Sequence, residues 1–301
     1  MTKLVPLSEA IAKHINDGDI VYAAGFTHLI PFAAGHELIR QGRRNLHLVR
    51  MTPDLIYDQL IGAGSARKLT FSWGGNPGVG SLHRLRDAVE NDWPGPLEID
   101  EHSHAAMAVA YRAGAARLPF GMLRGYIGTD LTKQNPCIRS VKCPYTGEAL
   151  ATVPAVNPDV TILHAQRADK RGNVAIDGIV GAAREAGLAA TKLLVTVEKI
   201  VDELPPALNN IVLPHFTVTA VSLCPAGAWP SYAQGHYARD NDFYLKWDAI
   251  ARDRAQFTAW INRHVEPLPS ATDAPDYEWR DLWGLAELTG APVAPIAATA
   301  A

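Results

Sequence analysis

The strongest constraint on this chain is an alternation of two periodicities: short apolar runs of strand length are followed, again and again, by segments with apolar residues at helical spacing. Residues 20–26 form a continuous apolar run containing Gly25, and Pro31-Phe32-Ala33-Ala34 then opens a helix that Gly42 stops. The pair recurs as strand 46–51 with helix 54–61, strand 68–73 with helix 81–90, and strand 97–101 with helix 105–112. Between 131 and 158 the chain turns polar and Pro-containing, with a hairpin turn at Tyr145-Thr146-Gly147-Glu148. Strand 160–165, a turn at 170–173, helix 182–190 and strand 193–197 then resume the pattern. Strands alternating with helices of this length predict an α/β fold, a central and mainly parallel sheet wrapped by helices. Ahead of it a first helix is expected, capped by Ser8, with Leu7, Ile11, Ala12 and Ile15 on one face. Near the end, Ile250, Phe257, Trp260, Ile261 and Val265 make one apolar helix face over 248–265. The expected division is one domain over 1–266 and an extension over 267–301, with a short helix at 277–288 and an Ala/Pro-rich tail.

Composition narrows the function classes. With 48% hydrophobic residues in 301 the chain can bury a core, and its formal charge of −3 argues against a partner held by bulk charge, nucleic acid above all. Three cysteines, Cys137, Cys143 and Cys224, are too few for a disulfide scaffold and match no zinc spacing, so ordinary thiols in a reducing compartment are expected. Glu9 and Lys13 interrupt the N-terminal segment, and no run of 18 uncharged apolar residues occurs, so the expectation is a cytoplasmic protein with no membrane partner.

Ligands of open α/β sheets gather at the carboxyl ends of the strands. There stands Trp73-Gly74-Gly75-Asn76-Pro77-Gly78-Val79-Gly80, whose glycines let backbone N–H groups approach an anion, or serve a tight turn. It lacks the GK[ST] of a phosphate loop and the GxGxxG of a dinucleotide site. Gly25-Phe26-Thr27-His28 occupies the equivalent place after the first strand, and the two loops are expected to wall one pocket. At the end of the fourth strand, Glu101 and Ser103 would share one face and His102 and His104 the other. His-x-His is half a metal site, but no third ligand stands nearby, so no metal is expected and Ser103 doubles as a helix cap. No GxSxG marks a serine hydrolase. Arg124, Arg139 and Lys142 are cations that can meet an acidic substrate or simply lie in solvent.

The runs GFTHLIPFAAGHELIRQG (25–42), LVRMTPDLIYDQLIGAG (48–64), FSWGGNPGVGSLHRLRDAVE (71–90), EIDEHSHAAMAVAYRAGAARLPF (98–120) and VTILHAQRADKRGNV (160–174) resemble the A (α) subunit of class I coenzyme A transferases, over about residues 4–265. The resemblance implies a heteromeric enzyme in which an acyl-CoA is attacked by a glutamate of the B (β) subunit, with CoA thioesters as substrates and no permanently bound cofactor. This chain shows no match to that glutamate's motif, since Glu185-Ala186-Gly187 lies in a helical pattern, so the nucleophile is expected on the partner. The role implied here is to complete the pocket: amides of Gly25, Gly74 and Gly75 on developing oxyanions, Asn76 on the acyl group, Phe26, Thr27 and Glu101 around the substrate, and Ser103 and His104 as supporting catalytic residues. His104 falls where single-chain 3-oxoacid transferases resemble this chain but hold glutamine, and where ring-cleaving thioester hydrolases hold glutamate. The expected reaction moves CoA from succinyl-CoA to 3-oxoadipate in aromatic-compound breakdown, with Arg124 and Arg50 as candidate cations for a distal carboxylate. Alternatives are a glutaconate or substituted 3-oxoadipate transferase subunit, a ring-cleaving thioester hydrolase subunit, or a non-enzymatic small-ligand-binding module.

Overall fold

The computed structural model describes residues 3–205 and 212–266. Along the chain run α1 (Leu7–His14), β1 (Ile20–Ala23), α2 (Phe32–Arg40), β2 (Leu46–Val49), α3 (Leu55–Gly62), β3 (Ala66–Phe71), α4 (His83–Asn91), β4 (Glu98–Glu101) and α5 (His104–Ala115). A polar middle follows with β5 (Phe120–Leu123), α6 (Leu131–Gln134), β6 (Arg139–Lys142) and β7 (Ala149–Pro154). Then come β8 (Val160–Asp169), β9 (Val174–Ala175), α7 (Ala183–Ala189), β10 (Lys192–Val201), β11 (Ala220–Leu223), α8 (Asn241–Arg252) and α9 (Arg254–His264). The main sheet has the order β11-β10-β8-β1-β2-β3-β4, and every neighbouring pair in it is parallel. The two residues of β9 add an antiparallel edge to β8. The predicted α/β class and parallel sheet are therefore present.

The continuous apolar runs are explained by burial on both faces. Val21 and Ala23 of β1, Leu46 and Leu48 of β2, and Val160 and Ile162 of β8 face one core with α1–α3, α8 and α9. The intervening Tyr22, Val49 and Leu163 face a second core with Met107 and Tyr111 of α5 and Ala183 and Ala186 of α7. This is the period-2 alternation of a strand, with both sets apolar. The polar middle folds as a separate antiparallel sheet, β5-β7-β6, whose Ala151 and Val153 pack on Ala106 and Ala110 of α5. The expected hairpin turn is there: Cys143 N donates to Glu148 O at 2.8 Å.

Several sequence expectations are corrected. Ser8 is not a cap, because α1 starts one residue earlier behind Pro6 and has no side-chain cap. The helix read over 248–265 is two helices, broken at Asp253, whose carboxylate accepts from Gln256 N at 2.8 Å and restarts the chain as α9. Glu101 and Ser103 do not share a strand face with His102 and His104 opposite, because β4 stops at Glu101 and α5 begins at His104. β5 and β11 were not anticipated. Residues 267–301, and with them the expected helix at 277–288 and the extension, lie outside the described residues. Among the described residues no helix is long and apolar enough to cross a membrane.

Candidate functional site

Strands β1 and β2 end two or three residues before their apolar runs do, at Ala23 and Val49, and the overhanging residues turn away to line a cavity of about 330 Å³. Gly25 and Phe26 leave β1, Arg50, Met51 and Thr52 leave β2, and Tyr22 forms part of the wall from within β1. Helix α5 contributes Ala108, Tyr111 and Arg112, whose i, i+3, i+4 spacing puts them on one face. Ile179, Gly181, Ala182 and Glu185, leading into and along α7, close the remaining side. The cavity thus lies at the carboxyl ends of the central parallel strands, where such sheets bind ligands.

Its floor is held by one ion pair. Arg50, only 1% exposed, donates to both carboxylate oxygens of Asp54, at 3.2 and 2.9 Å, and to Gly25 O at 3.0 Å. Its Nε is buried without a partner among the described residues. Gly25 is required here: its φ is +110°, and a Cβ would stand 2.9 Å from each of His28 O, Ile30 Cα and Ile30 Cγ1. Tyr57 ties the two strand ends together, accepting from Ala23 N at 3.0 Å and reaching Val49 O at 3.0 Å. Beneath Gly25, His28 stacks on Tyr232 with centroids 4.9 Å apart and bonds Ile179 O through Nε2 at 2.6 Å; burial pushes its pKa down, so the ring is a neutral donor.

Two tyrosines meet edge to face in the wall, Tyr22 and Tyr111, with centroids 5.2 Å apart. Burial pushes the Tyr22 phenol up to about 12 and the Tyr111 phenol well above its usual value, so both are neutral hydroxyls near pH 7. The Tyr111 hydroxyl is fully buried and has no hydrogen-bond partner among the described residues. An unmade buried hydrogen bond costs about 1–3 kcal/mol. Two charged side chains also border this space without an ion pair among the described residues: Arg112, exposed, and Glu185, half-buried. The arrangement is a wall of neutral phenols with a cation, Arg112, at the rim that makes no ion pair among the described residues.

The structure distributes the residues singled out in the sequence. Gly25 and Phe26 are on the cavity wall, and Thr27 is exposed beside them with φ +64°. The 73–80 loop does not wall the same cavity, contrary to the expectation of two loops on one pocket. Ser72 N and Trp73 N both bond Met51 O, and Gly75 N already donates to Pro53 O at 3.2 Å, so this loop stands behind Arg50-Met51-Thr52. Asn76 is 2% exposed; its side-chain amide donates to Tyr244 O at 2.9 Å and its backbone carbonyl accepts from Gly80 N at 3.0 Å, which anchors the loop to α8. Ser103 caps α5, accepting from Ala106 N at 3.2 Å. His104 Nδ1 lies 3.1 Å from Ser72 Oγ, and that hydroxyl donates to Met51 O at 2.6 Å, so His104 reaches the cavity through one intermediary. His102 faces Asp100 and Asn135 instead, separating the two histidines of His-x-His. Among the described residues no group of three or more His, Cys, Asp or Glu is placed to hold a metal ion. Glu101 is exposed at the strand end. Arg124 directly follows β5 of the small sheet, its side chain 78% exposed and paired with Glu148 at 3.0 Å, and does not line the cavity. Sequence reasoning missed Tyr22, Tyr111 and Arg112 and noticed Glu185 only as a failed motif.

A model of the coenzyme A transferase family matches residues 5–223. The chain is 62% identical over 265 residues to the A (α) subunit of 3-oxoadipate CoA-transferase from Pseudomonas knackmussii, covering 88% of this chain and 94% of that protein. Its structure superposes on glutaconate coenzyme A-transferase from Acidaminococcus fermentans with a TM-score of 0.87 at 28% identity, over 95% of this chain and 94% of the other. The decarboxylase AibA/AibB, in a cysteine-to-serine variant, follows with a TM-score of 0.75 and 30% identity, over 87% of this chain and all of the other, 100%.

Proposed function

The chain belongs to the coenzyme A transferase family, and from that premise we propose that it is the A-side subunit of a heteromeric enzyme that moves CoA from succinyl-CoA to 3-oxoadipate. The observation that carries the reading is the cavity at the ends of β1 and β2, walled in part by Tyr22 and Tyr111 and bordered by Arg112, which makes no ion pair among the described residues. Both acids of the exchange are dicarboxylates, so one end of each is activated while the other stays anionic.

In the proposed reaction the thioester carbonyl is attacked by a glutamate of the partner subunit, forming a mixed anhydride and releasing CoA as thiolate. The thiolate then attacks the glutamyl carbonyl, succinate leaves, and the resulting enzyme thioester passes CoA to the incoming acid by the same two steps in reverse. A carboxylate nucleophile divides one difficult exchange into easier ones. This chain's share is to hold the acyl chain still and to shield it from water, since water would divert the anhydride to hydrolysis. Tyr22 and Tyr111 offer donors that do not ionise near pH 7. The CoA thioesters come and go as substrates, no resident cofactor or metal is required, and the reaction belongs in the cytoplasm.

The test is steady-state CoA transfer by this chain alone, by its B-side partner alone and by the co-purified pair. Transfer by the pair only supports the reading. Release of free CoA without an acceptor replaces it with a thioester hydrolase, and transfer by this chain alone refutes the assignment of the nucleophile to the partner.

A further inference from the structure

The geometry points to Arg112 as the residue that reads the distal carboxylate of the acyl group and so restricts the enzyme to dicarboxylic substrates; this rests on the transfer reading above. The sequence offers two cations for that task, Arg124 and Arg50, the structure adds Arg112, and their places in the fold separate them. Arg124 is paired with Glu148 on the outer small sheet and does not border the cavity. Arg50 borders it but is already engaged on two of its nitrogens by Asp54 and Gly25 O, and the pair is locked in place at 1% and 3% side-chain exposure. Arg112 borders the cavity from the same face of α5 as the unpartnered Tyr111 hydroxyl, and makes no ion pair among the described residues. A guanidinium offers a planar fork of donors that matches a carboxylate.

Reach favours the same residue. A four-carbon donor and a six-carbon acceptor, activated at one common point, put their free carboxylates at different depths. A buried arginine clamped by two bonds to one carboxylate cannot follow that difference, whereas an exposed arginine on a flexible stem can. Glu185 of α7 borders the same cavity and supplies the repulsive half of the selection: a carboxylate that strays toward it meets a like charge.

The experiment compares 3-oxoadipate with 3-oxohexanoate, which replaces the distal carboxylate by a methyl group, as acceptors for the co-purified pair. For Arg112→Gln the expected result is a loss of about ten- to a hundredfold in kcat/KM for 3-oxoadipate, carried by KM, as befits a lost charge-assisted hydrogen bond. With 3-oxohexanoate the change should stay under about threefold, and Arg112→Lys should restore part of the dicarboxylate preference. Equal losses with both acceptors, or none with either, overturn the assignment. Binding of adipate, measured calorimetrically to the wild-type pair and to Arg112→Gln, reads the same contact without turnover: weakening by about tenfold or more supports it, and unchanged affinity overturns it. If the wild-type pair transfers no CoA at all, the transfer reading fails, and adipate binding still decides whether Arg112 holds a carboxylate.

Discussion

Replacing Asp54 by asparagine tests how the cavity floor is built. Arg50 has its charge compensated by one carboxylate, through bonds of 3.2 and 2.9 Å, and both side chains are almost fully buried, at 1% and 3%. Removing one partner of a buried pair strands the other charge, at a cost of about 3–5 kcal/mol. Asparagine keeps one acceptor oxygen, and Arg50 keeps its bond to Gly25 O, so the loss should fall near the lower end, about 3 kcal/mol. For a chain of this size each kcal/mol moves Tm by about 2–4 °C, giving a drop of about 6–12 °C. Urea unfolding followed by circular dichroism, with an unchanged m-value, measures it directly. The double variant Arg50→Met/Asp54→Asn should recover part of the loss, because the uncompensated charge is gone. A loss below about 1 kcal/mol for Asp54→Asn would refute the reasoning, showing that water in the cavity hydrates Arg50 well enough to make the pair dispensable.

Other perturbations follow from the same geometry. Gly25→Ala adds a Cβ 2.9 Å from two backbone atoms at a φ of +110°, and should cost at least about 2 kcal/mol and abolish transfer; full activity would show that the loop adapts. Ser103→Ala should destabilise by about 1 kcal/mol through loss of the α5 cap, with Ser103→Asp restoring it, and a catalytic role would instead show as lost activity in Ser103→Asp. Burial depresses the His36 pKa to about 3 and that of His47 to about 4, so the folded chain refuses protons that the unfolded chain accepts from about pH 6.5 downward. Stability should therefore be fullest above pH 6.5 and fall as pH drops toward 3, and His36→Gln should flatten that slope; an unchanged slope would contradict it.

Much of the fold was legible because strands buried on both faces write a distinct signature, as in Val160 to Ala165, and because amphipathic helices interrupt them. The errors concentrate where the site begins. The apolar runs through Phe26 and Met51 overshoot the strands, since a residue that lines a cavity is as apolar as one that fills a core. The Gly-rich loop 74–80 carried the outward marks of an anion cradle, yet the amides of Gly75 and Asn76 are spent, on Pro53 O and Gly80 O. No local pattern distinguishes a free amide from one already bonded by a residue 22 positions upstream, which is where Pro53 stands from Gly75. Arg112 reads in sequence as one more surface charge on a helix. The spacing of Ala108, Tyr111 and Arg112 was the available signal, and it acquires meaning only when α5 is seen to roof the ends of β1 and β2. Arg124 was equally visible and equally charged, and the fold carries it away on a different sheet.

In the proposed reaction the acyl group sits in the cavity between β1, β2, α5 and α7. The most direct measurement is a crystal structure of this chain co-purified with its B-side partner and soaked with adipate. The account predicts density for the dicarboxylate in that cavity, one carboxylate within hydrogen-bond distance of Arg112 and the other toward the partner. Adipate bound instead against the 73–80 loop, with the cavity filled by the partner's side chains, would contradict it.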